Sequence, residues 1–345
     1  MNNREKNNVN TMEKNNKDLY AGVDVHKDYC HGVLMDENGE VFKEEDFDNS
    51  VKGVRRFFGG FESAQVVIEA CYSWRPTLER LEEFGLEVKM AHPRKTKAIA
   101  EAEIKTDSID ATTLAHLLRA RLIPESYVPP DDIRELRDKT RARAGLGKER
   151  TRMKNKIKAE LEKNRITMDI NPFTIKGKEK LRGFGVCTVK YYLEMLETIQ
   201  EQIDEIETDF EEIAEKYEEA KLLMTIPGVG AFSALLILAE IGDIDRFPDP
   251  EKLCSYAGLV PKVHKSGNIT RYGNIKKAGS KYLRWILVED VWIHVGCADS
   301  QLTKYYRKKK REKGDGRMAA IATARKMLTA IYYMLKRGEE YRSDG

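Results

Sequence analysis

The sequence lacks the cysteine spacing that zinc sites and disulfide frameworks require. Its five cysteines are scattered over 345 residues, with no C-x-x-C pair and no neighbouring histidine cluster. Structural zinc is held by closely spaced Cys and His ligands, and disulfide frameworks are typical of small secreted chains. The cysteine pattern therefore argues against a zinc protein and against a disulfide-stapled fold.

Long apolar segments are also missing. No apolar stretch approaches the roughly 20 residues that a helix needs to cross a bilayer. The N-terminus, MNNREKNNVNTMEKNNKD, is polar and has no apolar core of the kind that a signal peptide contains. We therefore predict a cytoplasmic protein without membrane partners, whose residues 1–18 form a disordered tail.

Charge is abundant but nearly balanced. Charged residues make up 34% of the chain, and the formal net charge is only +3. The placement of the basic residues is uneven, which matters more for function than their number. A chain of this length favours about two to three domains, and we predict their limits at 19–128, 129–219 and 220–345.

Two acidic residues stand three apart in KTDSIDATTLAHLL, residues 105–118, which has the apolar spacing of an amphipathic helix. Asp107 and Asp110 would share one face of that helix. Thr106 or Ser108 could cap its start. Two like charges on one face favour a cation between them, and a hard divalent metal such as Mg²⁺ prefers carboxylate oxygens. The alternative is that both acids only complement the helix dipole in its first turn.

Two further acids lie where buried strands are expected. LYAGVDVHK has the pattern of a strand interrupted by Asp24, and AQVVIEACYSW gives a second strand that reaches Glu69. Burying a carboxylate is costly unless it is paired or bound to a metal, so an acid inside a strand is more informative than one in a loop. For Asp24 the alternative is an exposed position on an edge strand.

The order of elements indicates an α/β sheet in the first domain. From Leu19 we predict a strand, a turn at Asn38–Gly39 and a return strand, and then helices alternating with strands up to the Asp107 helix. Acids at strand ends and on a following helix can converge at one end of such a sheet. We therefore predict that four carboxylates form a site for one or two divalent metals: Asp24, Glu69, Asp107 and Asp110.

The second domain is predicted to pair a basic helix with an acidic one. Residues 139–158 are crowded with cations that could neutralise nucleic-acid phosphates. The alternative is a merely solvated face. Residues 190–218 have apolar residues every three or four positions and an acidic face, which predicts an antiparallel coiled coil and a dimerisation arm. The predicted phosphate contacts of the basic helix are Arg141, Arg143, Lys148, Arg150, Arg152 and Lys154.

The third domain opens with TIPGVGAFSALLILAEIG. Gly228 and Gly230, followed by an apolar helix, are similar to a helix-hairpin-helix turn, whose backbone N–H groups can bind a DNA phosphate. Farther along, we predict a polar loop between two helices, which carries Ser266–Gly267 and Gly279–Ser280. The cations of this loop are predicted to bind phosphate: Lys265, Arg271, Lys276 and Lys277.

The motifs GVDVHK, VIEACYS and KTDSIDATTLA, and then the block from IPGVG through YAGLVP and SG to GSKYLRWIL, resemble the DEDD-type insertion-sequence transposases over roughly residues 19–335. The resemblance implies a ribonuclease H-like (RuvC-like) catalytic domain, a coiled-coil arm and a mainly helical C-terminal transposase domain. It also implies that the four acids are catalytic ligands of Mg²⁺ or Mn²⁺.

The same resemblance implies a serine nucleophile, which aligns with Ser266 in HKSGNITRYG and acts with the acids of another subunit. Ser280 is the weaker alternative, and a simple Ser–Gly turn is the remaining interpretation of Ser266. The implied partners are donor DNA, target DNA and a guide RNA encoded by the element. The implied protein is a homo-oligomer, dimer to tetramer, near the nucleoid of a bacterial or archaeal cell.

Three other functions compete with this interpretation. A RuvC-like structure-specific endonuclease would use the same acids for plain hydrolysis and would need no serine. An actin-like kinase would need Gly-rich phosphate turns after its strands, and none occurs near Asp24 or Glu69. A non-catalytic DNA-binding protein would carry the acids as vestiges.

Overall fold

The computed structural model describes residues 19–99, 106–266 and 269–343. The predicted disordered tail, residues 1–18, lies outside the described residues. The chain divides into two compact units, one up to Val128 and one from Pro129 onward. The three domain limits proposed from the sequence stay predictions. No helix in the described part is long and apolar enough to cross a membrane.

The first unit is built on a five-stranded mixed sheet in the order β3-β2-β1-β4-β5. β1 runs antiparallel to β2, and β2 runs antiparallel to β3. β1, β4 and β5 run parallel. The strands are β1 Tyr20–Val25, β2 Tyr29–Met35, β3 Val41–Asp48, β4 Gln65–Glu69 and β5 Glu87–Ala91.

Four helices complete the described part of this unit: α1 Val51–Phe58, α2 Trp74–Glu83, α3 Pro93–Ile99 and α4 Asp107–Arg119. The Thr106 side chain accepts a hydrogen bond from the Ile109 backbone N–H at 3.2 Å and so caps α4. Of the two candidate caps, Thr106 is therefore the one used. The Ser108 hydroxyl instead donates to Glu44.

Alternation along β1 divides its side chains between the two faces of the sheet. Ala21, Val23 and Val25 belong to the core cluster that contains α1 and α2 residues. On the other face, α4 packs through Ala111 and Ala115 against β2. Gly22 and Asp24 therefore face α4, and Asp24 is not on an edge strand, because β1 is the central strand.

The prediction of one strand before the Asn38–Gly39 turn is wrong. The chain reverses earlier, between β1 and β2, where the His26 backbone N–H donates to the Tyr29 carbonyl at 3.0 Å. It reverses again around Asn38–Gly39, where Gly39 has φ of 87°. Three antiparallel strands thus precede the first helix, and the polar residues His26, Lys27 and Asp28 form the unpredicted turn.

The second unit is mainly helical. Its helices are α5 Asp131–Lys163, α6 Ile175–Gly183, α7 Cys187–Ala214, α8 Glu218–Met224, α9 Ala231–Ile241, α10 Pro250–Tyr256, α11 Lys281–Cys297, α12 Gln301–Lys313 and α13 Gly316–Arg337. A short 3₁₀ turn spans Ile244–Arg246. The centre is α9, in which every residue from Ser233 to Ile241 is buried.

Helices α5 and α7 pack antiparallel. Arg143 contacts Glu207, Arg150 contacts Gln200, and Glu160 contacts Thr188, so partners descend along α7 as α5 ascends. Apolar residues such as Ile157, Leu161, Leu193 and Leu196 form the core between their outer ends. At the inner ends, Leu136 and Phe210 join the main helical core. Supercoiling of the pair stays a prediction.

The polar loop predicted between two helices is wrong over residues 261–266 and 269–275. The backbone there forms an antiparallel hairpin of β6 Pro261–Ser266 and β7 Ile269–Ile275, with Ser266 paired to Ile269. The physical reason is visible in the sequence, because Val263, Ile269, Thr270, Tyr272 and Ile275 are β-formers that flank Gly267–Asn268.

Candidate functional site

The site in the first unit depends on a close approach of β1 and α4. A Cβ atom placed on Gly22 would lie 2.0 Å from the Ala111 carbonyl oxygen and 2.7 Å from the Ala115 nitrogen. Real side chains never come so close to backbone, so only glycine fits here. The contact holds the helix against the strand that carries Asp24. It therefore brings Asp107 and Asp110 near that strand's carboxyl end.

We expect Gly22→Ala to destabilise the protein by about 1–3 kcal/mol, because the added methyl forces helix and strand apart. Urea denaturation measures the loss. Gly145→Ala in α5 is the control, since a Cβ there meets nothing within 4 Å and alanine favours a helix over glycine. Equal stability of the two variants would contradict the close contact as the basis of the site.

Two carboxylates and an imidazole lie close together at the carboxyl end of β1. The His26 Nε2 atom lies 3.3 Å from Asp24 Oδ2 and 3.1 Å from Asp107 Oδ2. One ligand atom from each of Asp24, His26 and Asp107 lies within 4.8 Å of the other two. The Tyr29 hydroxyl donates to Asp107 Oδ2 at 3.0 Å, and its ring stacks on His26 at 4.5 Å.

Burial raises the pKa of the Asp24 carboxyl above its usual value. The nearby charge of His26 lowers the pKa, and the carboxylates of Asp107 and Asp110 raise it further. Ionised Asp24 is therefore held in an unfavourable environment of partial desolvation and like charge. A bound cation would relieve both, so the donor set of carboxylate oxygens and one imidazole nitrogen fits a divalent metal.

The other two predicted acids lie close by. Glu69 is the last residue of β4. Val23 of β1 pairs with Ile68 of β4, so Asp24 and Glu69 each come one residue after this pair on neighbouring parallel strands. Val67 packs on the α4 side of the sheet, and alternation places Glu69 on the same side. Asp110 is one turn into α4. All four acids thus lie at one end of the sheet.

Sequence reasoning missed two residues of this site, His26 and Tyr29. His26 falls within the segment LYAGVDVHK, to which only a strand is assigned from the sequence, because the turn between β1 and β2 is not predicted. Tyr29 starts the second strand, and only the reversal at residues 26–28 brings its hydroxyl to Asp107. The available signal is the polar triplet His26-Lys27-Asp28 inside an otherwise apolar segment.

In the second unit, three of the predicted phosphate-binding arginines have partners within the unit. Arg141 donates through Nε to Glu240 Oε1 at 2.6 Å, Arg143 pairs with Glu207, and Arg150 donates to Gln200 at 3.0 Å. Lys154 is half-buried, with its Nζ 5.3 Å from the Phe173 ring centroid, and burial lowers its pKa. The phosphate contacts of the six predicted cations stay predictions. Lys148 and Arg152 are exposed.

Ser280 is occupied by structural contacts. The Ser280 hydroxyl donates to Glu240 Oε2 at 2.7 Å. The Ser280 hydroxyl oxygen also accepts a hydrogen bond from the Leu283 backbone N–H at 3.1 Å and so caps α11. Glu240 is fully buried, and Arg141 supplies the opposite charge. A serine held in this way is poorly placed to attack a phosphate, which favours Ser266 of the two candidates.

Ser266 is the last residue of β6 and pairs with Ile269, the first residue of β7. Its side chain, and those of Lys265 and Arg271, lie outside the described residues. Lys276 and Lys277 follow β7 and are exposed. The roles of these residues stay predictions.

The two predicted hairpin-turn glycines differ in their surroundings. Gly228 has φ of 92°, and a Cβ there would lie 2.9 Å from the His294 nitrogen, so packing against α11 requires glycine. His294 is buried and lies 2.8 Å through Nδ1 from the Pro227 carbonyl oxygen. Gly230 is the N-cap residue of α9, and a Cβ there would meet nothing within 4 Å. Phosphate binding by this turn stays a prediction.

A buried acid beside α9 makes stability depend on pH. Asp290 is fully buried, accepts the Ser233 hydroxyl at 2.7 Å, and has its pKa raised by burial to about 7. The folded protein therefore holds this proton more tightly than the unfolded chain. The contribution of Asp290 to stability is fully present below about pH 4, falls as pH rises towards 7, and stays low above it.

We expect Asp290→Asn to raise the melting temperature at about pH 8, because the variant has no carboxylate to ionise in the core. The gain should shrink towards about pH 4, where the wild-type carboxyl is neutral. Thermal denaturation at both pH values measures it. Glu289→Gln, on the exposed side of the same helix, is the control, and an equal pH dependence of the two variants would contradict the burial effect.

Comparison with known families gives two matches. Residues 21–164 match a transposase family of the DEDD type, and residues 220–307 match the transposase IS116/IS110/IS902 family. The DEDD match implies a ribonuclease H-like fold for the unit that carries the mixed sheet, and it suggests dependence on a divalent metal.

Individual relatives are similar over nearly the whole chain. A putative transposase of Sinorhizobium fredii, y4qE, is 27% identical over 92% of this chain and 82% of its own length. The transposase for insertion sequence element IS1111A of Coxiella burnetii is 27% identical over 93% of this chain and 90% of its own length. A pilin gene-inverting protein of Moraxella bovis is 22% identical over 93% of this chain and 97% of its own length.

Proposed function

The chain belongs to the IS116/IS110/IS902 transposase family by its N-terminal and C-terminal domains, and we propose that it cleaves and rejoins DNA strands at the ends of an insertion sequence. The observation that carries the proposal is the convergence of Asp24 and Asp107 on one point, with Glu69 and Asp110 at the same end of the sheet. Donor and target DNA are the proposed substrates.

The four acids are proposed to hold Mg²⁺ or Mn²⁺, which would supply a Lewis acid at the scissile phosphate. The protein itself holds the metal-ligating side chains in position. Thr106 caps the helix that presents Asp107, Gly22 sets the distance of that helix from β1, and Tyr29 orients the Asp107 carboxylate. Preorganisation of this kind lowers the cost of binding the cation and the phosphate together.

Ser266 is the proposed nucleophile. Its hydroxyl oxygen would attack the phosphorus, forming a phosphoserine bond, and the departing sugar oxygen would take a proton to become a free hydroxyl. Attack by another DNA hydroxyl on that phosphoserine restores a phosphodiester and the serine, so the strands rejoin without ATP. The exposed cations Lys276 and Lys277 follow the same hairpin and would stabilise the phosphate charge.

A second candidate, DNA inversion, is favoured by one comparison. The Moraxella bovis relative is named a pilin gene-inverting protein. Inversion and transposition share the same cleavage and rejoining steps and differ in how the two DNA sites are arranged. A guide RNA encoded by the element and a homo-oligomer, dimer to tetramer, are proposed for either reaction. Sequencing the RNA that co-purifies with the protein tests the guide.

The proposed function is tested on a supercoiled plasmid that carries the element's ends, with the purified protein and its co-purifying RNA. We expect joined strands with Mg²⁺ or Mn²⁺ and none after chelation with EDTA. Linear or nicked products without joining would indicate the plain endonuclease instead. No metal-dependent change in the DNA at all would indicate a non-catalytic binding protein.

The basic helix α5 is proposed to contact phosphates through its exposed cations only. We expect Lys148→Gln, Arg152→Gln and Lys158→Gln together to weaken DNA binding and to lower the slope of log affinity against log salt by about 0.9 for each phosphate that is no longer neutralised. Lys190→Gln in α7 is the control, because Lys190 is an exposed cation of the acidic helix and not of the basic one. An unchanged slope in the triple variant would show that this face is merely solvated.

A further inference from the structure

A groove in the described part of the second unit is lined by two tryptophans together with lysines and arginines. It has a volume of about 600 Å³ and lies between α11 and the start of α13, beside the end of β7. None of its nine lining residues is acidic. The residues that matter for binding are Lys277, Lys281, Arg284, Trp285, Trp292 and Arg317.

The aromatic part of the groove follows one face of α11. Lys281, Trp285, Val288 and Trp292 are spaced by three or four residues, so they form a continuous row. Trp292 is 42% exposed, which is unusual for so large an apolar side chain. The Trp292 ring meets Tyr306 edge-on at 5.7 Å. That contact orients the indole without covering it.

The cationic part lies within the same groove. Arg284 already donates to the Ala257 carbonyl at 3.0 Å. The exposed positive charge of the groove comes from Lys277, Lys281 and Arg317. A ligand that satisfies the groove must offer both a flat apolar surface and negative charge.

We infer that this groove binds an unpaired nucleotide of a single-stranded nucleic acid, with its base stacked on Trp292 and its phosphates beside the three cations. Bases stack on aromatic side chains regardless of sequence, and nearby Lys and Arg hold the backbone. Paired bases in a duplex cannot present their faces in this way. An acidic peptide would match the charge but would leave the indole without a flat partner.

Intrinsic fluorescence tests the inference directly, because the chain has only three tryptophans. In a Trp74→Phe background, emission comes from Trp285 and Trp292 alone. We expect a short oligothymidylate to quench it and a DNA duplex of equal length to leave it nearly unchanged. An oligouridylate arm distinguishes DNA from RNA as the source of the nucleotide, and quenching by either supports the inference.

Substitutions then separate stacking from charge. Trp292→Ala should weaken oligothymidylate binding by about tenfold or more, whereas Trp292→Phe should retain most of it. Lys281→Gln with Arg317→Gln should weaken binding and reduce its salt dependence. Tyr191→Ala, at an aromatic of α7 that is 58% exposed, is the control outside the groove. Absence of quenching, or unchanged affinity in Trp292→Ala, overturns the inference.

The inference is independent of strand cleavage. Asp24→Asn removes an acid of the other unit and should leave the quenching unchanged. A protein that joins strands but shows no quenching would contradict only the groove. A protein that shows quenching but joins no strands would contradict only the proposed function.

Discussion

Asp24→Asn is expected to reduce strand joining by about a thousandfold or more, because a metal at the scissile phosphate contributes several kcal/mol and each 1.4 kcal/mol is about tenfold in rate. Asparagine keeps the shape of the side chain but removes the charge that the cation requires. Strand joining on the plasmid that carries the element's ends measures the effect.

Asp24→Asn should lower activity without lowering the stability of the folded protein. Burial and the carboxylates of Asp107 and Asp110 raise the pKa of Asp24, so its ionised form is disfavoured when no cation is bound. Without metal, Asp24→Asn should therefore melt at the same temperature as the wild type or higher. An inactive variant that also unfolds would not test the site, which makes this second measurement necessary.

Binding of the metal provides a third readout. Adding Mn²⁺ should raise the melting temperature of the wild type by mass action and leave that of Asp24→Asn unchanged. Glu37→Gln is the matched control, because Glu37 is exposed in the turn after β2 and should keep both the Mn²⁺ response and the activity. Wild-type strand joining by Asp24→Asn would remove the acid site from the proposed mechanism.

Ser266→Ala is expected to abolish the covalent link between protein and DNA. Without the hydroxyl, no phosphoserine can form, and cleavage with rejoining should fall to background. Trapping on a nicked DNA substrate, followed by mass spectrometry of the attached peptide, gives the position of the link. An adduct that persists in Ser266→Ala would exclude this serine as the nucleophile.

Ser280→Ala is the matched control for that experiment. Its hydroxyl caps α11 and bonds to the buried Glu240, so its loss should cost about 1 kcal/mol of stability. The covalent adduct should still form, on Ser266. An adduct that maps to Ser280 in the wild type would transfer the role to that residue.

Local signals are sufficient for much of the first unit. Apolar spacing predicts the Asp107 helix, and the threonine before it is among the candidate caps. Short apolar runs identify β1 and β4, and the acids on these strands lie at one end of the sheet. Each of these features depends on residues close in sequence, which is why periodicity and capping rules are enough.

Contacts between distant residues could not be predicted. Arg141 finds Glu240 at a separation of 99 residues, and no pattern in the basic helix distinguishes that arginine from exposed Arg152. The turn at His26 escapes prediction because it contains neither glycine nor proline. Its consequence is large, since the reversal places an imidazole between the two carboxylates of Asp24 and Asp107.

The buried Glu240 side chain also has a consequence for how the second unit opens. Arg141 of α5 and Ser280 of α11 both bond to this one carboxylate of α9. Separating α5 from α9 would leave the buried Glu240 charge without its ion-pair partner, and moving α11 away would remove a hydrogen bond from the same carboxylate. Both are more costly than fraying an exposed end. Backbone amides near Arg141 should therefore exchange with deuterium together with those of α9 and α11, whereas the outer end of α5 exchanges earlier and separately.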